Sequence, residues 1–387
     1  MRHTNLLKLI ILLLTTFIIV ETTAIASAEI HHISNENQQH HITEEQNDIQ
    51  ISNTQGLITV DQTGEKTFTS IQEALDKSPE KSTIYIKNGI YREILIISKP
   101  ITLIGESNLQ TTLSPTSKKN GYAIKINTPQ VTIKNLGVTN KGPGIYTTAI
   151  QINKPYTTIE NCNLYDTPIG LCIWSSNNKI TNCKFWDCTD EGIVLIGSKL
   201  SACKNNLIEN CEFFNNCDGI EMQYALENTI SNCKIYKNTH TGIDAIADSN
   251  NNNNILNCEI YDNEVHGIYL SRSSQNTIQN CMLSNNKNGA IMTIETTNTL
   301  LSNSNLDEEA KIYLYDHSTI TIDNCAFESS HITTKTSEYT ILNEPIQAQP
   351  ELIKLQKETT NHNNSQQNTH ISNLKELIQY ILSQFIK

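Results

Sequence analysis

Nine copies of one short segment, a strand-like column ahead of most of them, and a spacing of 21–28 residues predict an all-β fold, a parallel β-helix (solenoid). An N-terminal capping α-helix and a C-terminal amphipathic helix complete the expected architecture. The segment is typified by "ITNCKF", Ile180 to Phe185. Its Asn recurs at Asn135, Asn161, Asn182, Asn210, Asn232, Asn257, Asn280, Asn303 and Asn324. Ile or Leu stands two residues before each Asn and an apolar residue three after it, from Ile133 and Val138 to Ile322 and Phe327. The second column reads small-apolar-x-apolar: "AIKI" at 123, "AIQI" at 149, "GLCI" at 170, "GIVL" at 192, "GIEM" at 219, "GIDA" at 242, "GIYL" at 267 and "GAIM" at 289, with "KIYL" at 311 as a looser member. Alternation with period two marks a strand, so each repeat supplies at least two. A unit of about 23 residues cannot bury its apolar face alone and stacks on the next, giving about nine to eleven coils spaced about 4.8 Å apart.

The elements follow in chain order. "MRHTNLLK", the apolar run "LIILLLTTFIIV" and "ASA" (Ala26 to Ala28) form the pattern of a secretory signal peptide over 1–28. The run is shorter than the roughly 20 residues of a transmembrane helix, and no later segment is long and apolar enough. The expectation is an exported chain with no transmembrane segment after signal cleavage: secreted, periplasmic or at the cell surface. A formal charge of -12 argues against nucleic acid as partner, because phosphate binding wants clustered Lys and Arg. Residues 29–56 are polar and aperiodic, a flexible linker. His31, His32, His40 and His41 within it are candidate ligands for a borderline metal such as copper, although no fixed geometry holds them. Residues 57–335 make the β-helix, with the cap and first coils in 57–112. Ser70 and Glu73 form a capping box there, Ile71, Ala74 and Leu75 share a helical face, and Pro79 ends the helix. "STIYI", "EILII" and "ITLIG" read as short strands. Residues 336–370 are a second polar linker. Residues 371–387 carry Leu374, Leu377, Ile378, Ile381, Leu382 and Phe385 on one face, a helix that docks on the solenoid or on a partner.

The repeats resemble those of the NosD-like family of right-handed parallel β-helix proteins. The opening "FTSIQEAL" through "IYIKNGIYREILIISKPITLIGES", with Gly89-x-Tyr91-x-Glu93, is similar to the start of pectin methylesterase and pectate lyase-type β-helices. The resemblance covers roughly residues 57–330 and implies a right-handed solenoid. It specifies function poorly, because one scaffold carries many activities. The Gly-x-x-Asp-Phe-Ile-Phe-Gly and Leu-Trp-Gly-Arg-Pro-Trp catalytic segments of pectin methylesterases are absent, so esterase activity is not carried over. What the resemblance implies is a binding or structural role at the cell envelope, with a polysaccharide or another envelope component engaged on the side of the solenoid. A copper-handling accessory role is a third implication.

Seven of the eleven cysteines follow the repeated Asn. If the chain bends there, Ile, Cys and the later apolar residue point inward, and the Asn amides stack and hydrogen-bond along the bend. Stacked Cβ atoms near 4.8 Å with parallel vectors do not suit a disulfide, so the column reads as small apolar filler. Cys188, Cys203 and Cys217, in the longer repeats, leave a disulfide open. Chemistry is sought on the outward ladder of the other strand: Lys125, Gln151, Cys172, Val194, Glu221, Asp244, Tyr269, Ile291 and Tyr313. Glu221 and Asp244 fall on adjacent coils, and paired carboxylates push their pKa values apart, as acid–base work requires. With His266 and Tyr269 they are the candidate catalytic set for a polysaccharide lyase, epimerase or hydrolase. Asp218, Asp248, Arg272 and Trp174 are candidate substrate-binding residues, and Trp186 a further stacking face. The acidic pair also suits Ca2+, which takes oxygen ligands. The competing reading is a solvated polar face, the ordinary outside of a solenoid.

Overall fold

The computed structural model describes residues 58–327 and 329–343. The expected signal peptide, the linker 29–56 with its four histidines, and the C-terminal helix lie outside the described residues. Each coil contributes three strands, one more than the minimum the sequence requires, and every strand pair is parallel. The first sheet has thirteen strands, from Ile58–Val60 to Glu338–Ile341, so the solenoid runs about twelve turns. The second has ten, from Gly89–Tyr91 to Asn305–Leu306; the third has eleven, from Leu95–Ile97 to Ile332–Lys335. The last rung of the first sheet falls in the segment assigned to a linker from 336. Pairing there is made by main-chain bonds to Thr319–Asp323 and needs no apolar side chains. A seven-residue helix, Ile71–Lys77, lies ahead of the second rung, with Ser70 accepting from Glu73 N–H and Ile71, Ala74 and Leu75 buried.

The corners explain why this sequence coils. All nine repeat asparagines adopt φ between 49° and 56°. This left-handed conformation costs most residues about 1–2 kcal/mol, and Asn is among the few that visit it readily. It turns the chain between the first and second sheets and directs the next residue, usually Cys, into the core. Asn161 donates to Asn135 at 2.8 Å, Asn280 to Asn257 at 3.1 Å and Asn324 to Asn303 at 2.7 Å, as the stacked bend predicts. All eleven cysteines are free, including Cys188, Cys203 and Cys217. The column thiols lie against main-chain carbonyls, as Cys183 Sγ does at 3.2 Å from Thr181 O. Burial pushes the Cys183 thiol well up.

Two further buried ladders hold the other corners. Asn178, Asn206, Asn228 and Asn253 each donate both a backbone and a side-chain N–H to the Oδ1 of the next rung, ending on Asn276. Asn216, Asn238 and Asn263 do the same, ending on Asn286. Each buried amide thereby avoids the roughly 1–3 kcal/mol cost of an unpaired group.

Candidate functional site

The outward faces of the first two sheets satisfy themselves. On the second, Tyr165, Trp186, Phe214, Tyr236 and Tyr261 stack rung upon rung, with centroids 4.6–5.9 Å apart and planes within 11°. Lys184 pairs with Glu212 at 2.7 Å beside that stack, and on the first sheet Lys134 pairs with Glu160 at 2.7 Å. Both faces of Trp186 are covered by neighbouring rings, so it presents an edge and no stacking face for a sugar.

The third sheet differs. Register places Lys125, Gln151, Cys172, Val194, Glu221, Asp244, Tyr269, Met292 and Tyr313 in one outward column. One position corrects the sequence reading. His266 pairs with Gly289, so Ala290 is the small residue of "GAIM", Ile291 is buried in the core, and Met292 faces out. A second column, one residue ahead of the small position, carries Glu191 paired with Asp218 and, two rungs on, His266. The strands Glu191–Ile196, Asp218–Gln223 and Ile243–Ala245 thus bring Glu191, Asp218, Glu221 and Asp244 to one patch, with Asp190 at its edge.

This patch is not a solvated face. Glu191 is 6% exposed, Asp218 6%, Glu221 9% and Asp244 4%. Crowded and desolvated carboxyls hold their protons. Burial, then the charges of Glu221 and Asp190, pushes Glu191 up to about 9. Burial, then Asp218 and Glu221, pushes Asp244 up to about 8. Burial also raises Glu221, whose Oε1 accepts from Gln223 at 2.5 Å. Asp218 Oδ1 lies 2.8 Å from His240 Nδ1 and accepts from Thr241 N–H at 2.7 Å. His240 Nδ1 is also 3.9 Å from Asp244 Oδ2. Glu191 Oε2 and Asp244 Oδ1 are buried and find no hydrogen-bond partner among the described residues.

The remaining sequence candidates divide. Tyr269 pairs with Asp244 on the next rung, and its ring stands 6.3 Å from His266. Burial, then the neighbouring His240, pushes the His266 imidazole down. Arg272 and Asp248 belong elsewhere. The strand ends at Ser271, Arg272 turns away with φ of 44°, and its guanidinium pairs with Asp248 at 3.0 Å. That pair lines a corner cleft of about 700 Å³, walled by Ser198, Lys199 and Ala202 from the longer repeat. The loop wall therefore rises beside Arg272, while Glu221, Asp244 and His266 do not line that cleft. Trp174 is 51% exposed and follows Ile173, which pairs two rungs before Met222.

The sequence candidates did not include Glu191, His240 or Lys311. A pocket of about 360 Å³ is lined by His266, Lys287, Lys311, Met292, Tyr313 and Tyr315. Glu191 was readable from the residue ahead of each small position, where Glu191, Asp218 and His266 recur. Lys311 sits in the small position of "KIYL", where nothing marks it as a site residue.

The family model of the right-handed β-helix region matches residues 101–252, 197–327 and 229–375. A pectinesterase of Petunia integrifolia is 33% identical over 132 residues, 30% of this chain and 35% of that protein. The chain thus spans about a third of the length of that relative. The A-module of a mannuronan C-5 epimerase from Azotobacter vinelandii superposes with a TM-score of 0.59 at 15% identity, covering 72% of this chain and 92% of that one. The catalytic domain of a GH87 α-1,3-glucanase gives 0.52 at 14%, covering 78% and 70%. At these identities the likeness to the two solved structures is one of fold.

Proposed function

We propose, for a chain that belongs to the right-handed β-helix family, an exported protein of the NosD-like kind that binds a polysaccharide along the outer face of its third sheet. The observation that carries the reading is the contrast between faces. On the first two sheets outward rings stack and Lys–Glu pairs bridge rungs, whereas the third carries a crowded carboxyl patch and a polar pocket at His266 and Lys311. A glycan suits this face, because its repeating units follow successive rungs and its hydroxyls bond the polar groups of the pocket. Lys311 favours an acidic sugar, whose carboxylate meets its ammonium group by charge-assisted hydrogen bonding. Relatives of the same fold that act on mannuronan and glucan support a carbohydrate ligand. The helix Ile71–Lys77 closes the first coil in this reading, hiding a main-chain edge that would otherwise invite association. The signal-like segment 1–28 accounts for export to the envelope.

The test is a glycan array followed by calorimetry on any hit. Lys311→Ala is expected to weaken binding of an acidic glycan about tenfold, the loss of one charge-assisted bond. Absence of any glycan ligand, or affinity untouched by substitutions at Lys311 and Glu191, removes the reading.

A second reading, catalysis by a lyase, epimerase or hydrolase, is favoured by one observation. Burial keeps Asp244 protonated beside Tyr269 on the next rung, a proton donor next to a phenol. Product assays on bound glycans decide it. Turnover abolished by Asp244→Asn with binding retained supports an enzyme, and unchanged glycan after prolonged incubation excludes it.

A further inference from the structure

We propose that Asp218, His240 and Asp244 form a binding site for one divalent transition-metal ion of borderline softness, with Zn2+ the best fit. One ligand atom from each of the three lies within 4.8 Å of the others. The separations already bracket a tetrahedral site. His240 Nδ1 is 2.8 Å from Asp218 Oδ1 and 3.9 Å from Asp244 Oδ2, and ligand atoms around zinc stand about 3.4 Å apart for bonds of about 2.0–2.2 Å. A few tenths of an ångström of side-chain adjustment admits the ion. Two of the ligands are carried on neighbouring strands of the third sheet, and rigid elements hold such a site more exactly than loops do.

The second observation is Asp244 itself. It is 4% exposed, yet its Oδ1 finds no hydrogen-bond partner. Burying a carboxyl beside Asp218 and Glu221 is costly unless a cation compensates it. Glu191, paired with Asp218 and two rungs from Asp244, has an unpartnered buried oxygen as well. A divalent ion neutralises this crowding at once. The imidazole argues against Ca2+, which takes six to eight oxygen ligands, and for a metal that accepts nitrogen. His240 is 47% exposed along its side chain, so the ion has a path in. Three protein ligands leave a fourth position for water or a ligand oxygen. The inference does not depend on the glycan reading, and its test uses metal alone.

A metal ion at His240 Nδ1 needs that nitrogen's lone pair, so the 2.8 Å contact between His240 Nδ1 and Asp218 Oδ1 gives way to two metal–ligand bonds. The experiment is calorimetric titration of the chelator-treated full chain with ZnCl2, MnCl2 and CaCl2 at pH 7. One equivalent of Zn2+ is expected, bound tighter than Mn2+ and far tighter than Ca2+. His240→Gln and Asp244→Asn should each weaken Zn2+ about tenfold or more, since even outer-shell changes cost about 10–100-fold. Asp244→Asn should nonetheless melt no lower than the parent protein in chelator, which separates lost binding from lost fold. No Zn2+ uptake, or Ca2+ bound in preference, overturns the assignment. A Zn2+ signal that survives His240→Gln but disappears when His31, His32, His40 and His41 are all changed to Ala overturns it too, placing the metal on those histidines.

Discussion

Replacing Asp244 with Asn removes a carboxyl that the fold would rather keep neutral. In the unfolded chain Asp244 ionises near its ordinary 3.8, and in the folded protein near 8. Because the folded value is raised, the unfolded state sheds its proton first. Stability therefore falls as pH rises from about 4 to about 8 and is level above that. At pH 7 the gap is about three units, and at about 1.36 kcal/mol per unit the penalty has a ceiling of about 4 kcal/mol. Part of it is repulsion shared with Asp218 and Glu221. An Asn amide facing the same pocket also meets an unsatisfied position, worth about 1 kcal/mol. The net expectation is that Asp244→Asn stabilises the metal-free protein by about 2 kcal/mol at pH 7 and destabilises it by about 1 kcal/mol at pH 4. Thermal melts of both proteins in chelator at the two pH values measure it. A variant that is less stable at pH 7, or shifted equally at both pH values, would mean that Asp244 is ionised and held by His240, refuting the desolvation reasoning.

Other perturbations test the frame. Asn228→Ala strands the backbone and side-chain N–H groups of Asn206, which donate to Asn228 Oδ1 at 2.9 and 3.0 Å; a loss of about 3 kcal/mol or more in denaturant titration is expected, and a loss under about 1 kcal/mol would show that the ladder contributes little. Asn182→Val forces a β-branched residue into φ of 56° and should cost about 1–2 kcal/mol, whereas Asn182→Gly stays close to the parent protein; equal effects would remove conformation as the reason for Asn at the bend. All eleven thiols are free and only Cys217 is less than fully buried, with its thiol pushed up to about 11 by burial and then by Asp218. Iodoacetamide at pH 8 should therefore label at most one described cysteine, slowly, by mass spectrometry, and a reductant should leave the melting temperature unchanged.

The sequence made the solenoid legible because one physical demand recurs in every coil. Ile180, Asn182, Cys183 and Phe185 must meet the same bend and the same core as Ile230, Asn232, Cys233 and Ile235, so the pattern is written nine times. The other two corners obey the same rule less visibly. Asp187, Lys237 and Asp262 all take the left-handed turn of the second corner, and varied identities hide the shared geometry. The buried amide after the turn was therefore lost among the many asparagines of the chain. At the candidate site, Glu221 beside Asp244 was readable from register alone. That the pair is buried, that His240 reaches Asp218, and that Arg272 turns off to Asp248 depend on where strands stop. A strand ending at Ser271 and one ending at Gln223 look alike in a one-dimensional pattern. Grouping by residue type set Arg272 as a substrate-binding residue beside the catalytic candidate Tyr269, three positions along the chain, but Arg272 turns off at the corner to pair with Asp248.

The strict rung-to-rung register has a consequence for anyone who would alter this protein. Positions on the third sheet are graduated: Asp244 and Tyr313 stand three rungs apart, about 14 Å at the spacing of paired strands. Excising one whole coil shortens that interval by a single graduation, and duplicating one lengthens it, with each junction still joining like corner to like corner. The length of the proposed glycan then becomes a quantity that can be dialled in integer steps, with the carboxyl cluster at one end of the scale and the Lys311 pocket at the other.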